Sequence, residues 1–98
     1  MQNIQEIQAR VDAEREIISA LDAEITDCGL QQHLRQAKLW VDDVESTFLR
    51  GARQESRTPD QLDRWLSYAE MPLEWATQRR KDVQRILAER GPNAVTVG

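Results

Sequence analysis

Residues 58–92 read TPDQLDRWLSYAEMPLEWATQRRKDVQRILAERGP, and the parsing of this stretch decides the fold. Thr58 is a good helix N-cap, Pro59 suits the first helical position, and Gln61 stands where a capping box needs its second partner. Gly91 accepts the left-handed conformation that ends a helix, and Pro92 forbids continuation. Between these signals Leu62, Leu66, Ala69, Leu73, Ala76, Val83 and Leu87 recur at alternating steps of four and three, with Arg80 as the one polar member. That is a heptad seam, the mark of a helix packed at a shallow angle along other helices.

Two features complicate this helix, expected over residues 59–90. Pro72 removes a backbone donor and crowds the carbonyl four residues back, at a cost of about 3 kcal/mol or more. The seam nevertheless keeps its phase from Ala69 to Leu73, which favours one kinked helix over a break at Pro72. The second feature is a parallel stripe, Trp65, Tyr68, Pro72, Trp75 and Ile86, rotated by about 100° from the seam. A helix wedged between two neighbours would bury both stripes. Left partly exposed, Trp65, Tyr68, Met71 and Trp75 would form a contact surface, with Arg79 one turn beyond Trp75 in reach of a cation–π contact.

Upstream, Ile4, Ile7, Val11, Ile18, Leu21, Ile25 and Cys28 form a strict heptad seam whose missing position is Glu14. A first helix is expected over about residues 3–27. Its continuation would place polar residues in the seam; instead the apolar set restarts out of phase at Leu30, then Leu34, Ala37, Val41, Val44 and Phe48. The chain is therefore expected to turn at Cys28-Gly29-Leu30, with Gly29 closing the first helix. The second helix follows over about 30–50, with Trp40 toward the core and Leu39 nearer the surface. Residues 51–57 lack periodicity and read as a loop. The expected fold is all-α: an antiparallel up-down-up three-helix bundle with coiled-coil-like packing, occupying residues 1–91, followed by an extended tail at 92–98. An unbroken third helix would overhang the second by roughly 15 Å, which calls for a partner or a kink. The tail, Asn93-Ala94-Val95-Thr96-Val97, is rich in strand formers and would suit either a loose terminus or a docking peptide.

The chain has 98 residues, 31% of them charged, and a net charge of −4. An acidic balance speaks against a general nucleic-acid or anionic-membrane binder. The charge is uneven: residues 1–49 carry four Lys/Arg against ten Asp/Glu, and residues 50–98 carry nine against seven. Opposed halves of this kind suit attraction within a molecule or between copies. One cysteine, the lack of a basic-then-apolar start and the lack of a long apolar run together give a cytoplasmic expectation.

Catalytic and metal-binding patterns are not found in the sequence. His33 and Cys28 do not have ligand spacing, no Glu-x-x-His pair occurs, and the glycines are isolated. No cofactor or metal is expected. Glu14, buried in a seam, needs a counter-charge, and Arg80 is the candidate if the first and third helices align. Such a pair sets register; a small enzyme site around Glu14 and Arg80 is the minority alternative. The basic run Arg79, Arg80, Lys81, Arg85 and Arg90 suits a helix C-terminus, with DNA or RNA contact as a second alternative. The leading expectation is a non-enzymatic interaction module of adaptor, chaperone or regulatory-subunit type. It would bind a protein partner or its own copies through Trp65, Tyr68, Met71, Trp75 and Arg79.

Overall fold

The computed structural model describes residues 3–54 and 56–90. The expected tail at 92–98 lies outside the described residues. All regular structure among those described is helical: α1 (Ile4–Glu24), α2 (Cys28–Asp43), a π-helical segment (Val44–Leu49), α3 (Arg50–Gln54), α4 (Pro59–Ser67) and α5 (Glu70–Arg90). α2, the π segment and α3 run on without a gap and form one arm; α4 and α5, separated by a two-residue turn, form another.

Cross-links between the arms establish their directions. Arg10 pairs with Glu70, Glu14 with Arg80 and Asp27 with Arg90, so α1 and α5 are parallel. Gln8 reaches Glu45 and Arg53 while Arg15 reaches Asp42, so the second arm returns antiparallel to α1. Phe48 meets Trp65, Trp40 meets Trp75 and His33 meets Arg79, which reverses the third arm again. The result is the expected up-down-up bundle, a rod of 52 × 19 × 17 Å. No helix among the described residues is long and apolar enough to cross a membrane.

The first turn falls earlier than the sequence predicts. α1 starts at Asn3, whose side chain accepts a 2.8 Å bond from the Glu6 amide. It buries Ile7, Val11, Glu14 and Ile18 and ends at Glu24. Ile25 is already extended, though its N–H still donates to the Leu21 carbonyl at 3.0 Å. Asp27 then caps α2 by accepting from the Leu30 amide at 3.0 Å. Gly29 thus lies inside the first turn of α2 rather than closing α1, and Cys28 is exposed rather than in the seam. The reason is local: Asp27 is a far better N-cap than Cys28, and swinging the chain at Ile25 still buries that side chain. Gln31 holds the turn by donating to the Ile25 carbonyl at 2.7 Å.

The second arm contains a feature invisible to heptad counting. Leu30, Leu34, Ala37, Val41 and Val44 are buried at steps of four and three, but the next buried residue is Leu49, five positions on, followed by Ala52. A π-helical turn accommodates one extra residue. It rotates Phe48, the expected seam member, to a half-buried flank and brings Leu49 into the core. The helix then continues through Gln54, into what the sequence reads as loop, so the second arm reaches about 6 Å further and covers part of the predicted overhang.

The lengthened arm receives Trp65. Its indole N–H donates to the Phe48 carbonyl at 2.9 Å, and its ring lies 5.3 Å from the Phe48 ring. A Cβ built on Gly51 would stand 3.2 Å from Cζ2 of Trp65, so the glycine makes the seat for the indole. Gly51→Leu is expected to expel Trp65 and destabilise the fold by roughly 1–3 kcal/mol through overpacking. Red-shifted tryptophan emission and a lowered urea midpoint would register it.

In the third arm the predicted capping box is complete. Thr58 accepts from the Gln61 amide at 3.2 Å, and the Gln61 side chain accepts from the Thr58 amide at 3.0 Å. The interruption comes at Tyr68-Ala69, one turn before Pro72. There the amides of Tyr68 and Ala69 reach only three residues back, to Trp65 at 3.3 Å and Leu66 at 3.0 Å. Pro72 has no N–H to offer the Tyr68 carbonyl and its ring crowds that oxygen, so the strain appears four residues upstream. Pro72 itself falls in the first turn of α5, where a donor is not needed. The seam survives the break: Leu66, Ala69, Leu73, Ala76, Val83 and Leu87 are all buried.

Candidate interaction face on the third arm

Glu14 and Arg80 meet in the interior, as their seam positions predict. Glu14 is 7% exposed. Arg80 Nε donates to Glu14 Oε2 at 3.0 Å, its Nη2 donates to Oε1, and the Thr77 hydroxyl adds a 3.1 Å bond to Oε1. Arg80 Nη1 continues to Gln84 Oε1 at 3.0 Å. These hydrogen bonds from the guanidinium to Glu14 hold the pKa of Arg80 above its ordinary value. No buried side-chain nitrogen or oxygen among the described residues lacks a partner. With both carboxylate oxygens occupied, the pair ties α1 to α5 at one register.

The aromatic stripe divides in two. Trp65 is drawn into the bundle on Gly51 and Phe48, with the Arg57 guanidinium 4.5 Å above its ring. Pro72 is buried. Tyr68, Met71 and Trp75 remain 56%, 57% and 49% exposed. One flank of Trp75 leans on Trp40, centroids 5.7 Å apart at 55°, so the indole is anchored and half open. Arg79 does not stack on Trp75 as the spacing predicts. It lies over Trp40 at 5.4 Å and donates from Nη1 to His33 Nδ1 at 2.7 Å. Trp40 and His33 are the partners that the sequence reading missed. The signal was an aromatic flanking the seam of the antiparallel neighbour, level with Trp75.

The basic run does not form a shared patch. Arg80 is spent on Glu14, Arg90 on Asp27 at 2.9 Å, and Arg85 on Asp82 and Glu89 at 3.8 and 3.4 Å. Beside the π segment, a surface groove of about 620 Å³ carries Arg15, Arg50 and Arg53 against Asp42 and Glu45, charges of both signs. Arg15 bridges Asp42 at 3.1 Å and Glu45 at 3.2 Å.

Two carboxylates in these links titrate below the usual range. The Leu30 amide and then Arg90 depress Asp27; Gln8 and then Arg15 depress Glu45. A depressed carboxylate contributes stability that is complete above its unfolded pKa, near 4, and lost as pH falls through the lower folded value. Stability is therefore expected to decline only below about pH 4 on this account, and Asp27→Asn to flatten that decline. Thermal melts taken in steps down the acid limb would show it.

The fold and this geometry define a class: an all-α bundle with a half-open aromatic strip on one arm. Comparison with protein-family models, curated proteins and solved structures yields no match for this chain.

Proposed function

We propose that the chain is a non-enzymatic protein–protein interaction module, of adaptor, chaperone or regulatory-subunit type, acting in the cytoplasm. It binds through the strip of Tyr68, Met71 and Trp75. One observation carries the reading. Three large apolar side chains stand about half exposed on one strip of a helical arm whose opposite side supplies the core. A helix face turned to solvent ordinarily carries charge. Aromatic residues with a rigid backing are the usual anchors of binding energy, and Trp40 supplies that backing. Protein is a better match than nucleic acid, because Arg80, Arg85 and Arg90 already hold carboxylates of their own chain.

Trp75→Ala is expected to keep the helical circular dichroism and the melting temperature within a few degrees, because the side chain is half outside the core. Its affinity for the bound protein is expected to fall by about tenfold or more, as for a central aromatic anchor. Isothermal titration of the two forms against that protein measures the difference. Equal affinity of both forms would remove Trp75 from the contact.

A further inference from the structure

We infer that the protein bound to this strip is a second copy of the chain, with the two α4–α5 arms antiparallel about a two-fold axis between Met71 and Trp75. The inference rests on the reading above and adds the identity of the partner.

Beyond the three apolar residues, the same strip continues through Arg64 at one end and through Gln78 and Asp82 at the other. Its members, Arg64, Tyr68, Met71, Trp75, Gln78 and Asp82, follow steps of four, three, four, three and four. That spacing reads the same in both directions. Laid against an inverted copy, it pairs Arg64 with Asp82, Tyr68 with Gln78 and Met71 with Trp75, and each pair occurs twice. Every pair is complementary: guanidinium with carboxylate, phenol with carboxamide, thioether with indole. The layering is that of an antiparallel coiled coil, in which each seam residue that follows a step of four faces one that follows a step of three. A parallel arrangement would set Arg64 on Arg64 and Asp82 on Asp82, so the charges select the inverted one. A two-fold contact must be self-complementary in this way.

The structure permits the approach. Arg64 and Gln78 are exposed, and among the described residues Asp82 is held only by a 3.0 Å bond from Gln78 and a 3.8 Å contact with Arg85 on its own helix. The break at Tyr68-Ala69 does not rotate Arg64 off the strip, because the buried seam keeps phase across it. The contact spans about 27 Å of helix. A single helix pair of that length is a small contact, and the dimer is expected to be reversible, with micromolar affinity.

Sedimentation velocity over a concentration series tests the inference, with circular dichroism confirming that each variant is folded. The natural chain is expected to pass from monomer to dimer. Arg64→Asp and Asp82→Arg are each expected to weaken association by about tenfold or more, by setting like charges opposite each other. The double variant Arg64→Asp/Asp82→Arg restores opposite charges and is expected to recover to within about threefold of the natural chain. A natural chain that stays monomeric at about 200 µM, well above a micromolar dissociation constant, overturns self-pairing. So does a folded double variant that fails to recover. If such a monomer still binds a different protein in a Trp75-dependent way, the interaction face stands and only its occupant is wrong. If Trp75→Ala changes no association of any kind, both readings fall.

Discussion

Glu14→Ala is expected to remove about 3–5 kcal/mol of folding stability, the largest effect of any charge substitution in this chain. The cost does not come from a lost attraction alone. Arg80 cannot shed its proton, and its side chain is only 14% exposed, so the substitution strands a cation between α1 and α5. The Thr77 hydroxyl loses its acceptor at the same time. A domain of this size holds roughly 5–15 kcal/mol in total, and each kcal/mol moves the melting temperature by about 4–8 °C. A drop of well over ten degrees is therefore expected, alongside a matching fall in the urea midpoint. Replacing both partners together, as Glu14→Met/Arg80→Met, is expected to recover most of the loss, because well-packed apolar residues can substitute for a buried pair. If Glu14→Ala cost less than about 1 kcal/mol, the pair would be behaving as a solvent-screened surface contact instead.

Leu49→Ala is expected to cost about 2–5 kcal/mol, the range for truncating a fully buried leucine. Heptad counting makes the opposite forecast, because it assigns the core position to Phe48 and turns Leu49 away. The π segment reverses the two, and the solvent exposure of Leu49 is 0%. Deleting the exposed Ser46 tests the same point from the other side. It takes out the extra residue and leaves an ordinary α-helix, with Leu49 then four positions after Val44 and Ala52 three beyond that. Such a deletion inside a helix would ordinarily rotate everything downstream out of register by about 100°. Here it is expected to retain the fold to within about 2 kcal/mol, with Trp65 emission unchanged. A deletion that unfolds the chain would show that the π geometry itself is required, and not only the phase it restores.

Legibility in the sequence followed the range of the cause. The seams from Ile4 to Ile25, from Leu30 to Val44 and along the third arm, the Thr58 capping box, the Glu14–Arg80 pairing and the disturbance by Pro72 were readable, because each depends on spacing along one helix or on the needs of one side chain. The candidate site was half readable. Tyr68, Met71 and Trp75 stand open, where the sequence allowed either burial against a second neighbour or exposure as a contact surface. The fates of Trp65 and Arg79 were not legible, because they depend on what the neighbouring arm presents: Gly51 leaves room for one indole, and Trp40 with His33 captures the guanidinium.

Residue pattern alone thus determined that this protein is an up-down-up helical bundle with more apolar surface on its last arm than one seam requires. Tertiary packing decided where the excess goes. Adding one residue to a helical turn costs little locally but moves every later side chain around the axis, so its position is chosen by whichever register fills the core best. The π turn at Val44–Leu49 is that choice. It placed Leu49 inside and set Phe48 and Gly51 against Trp65.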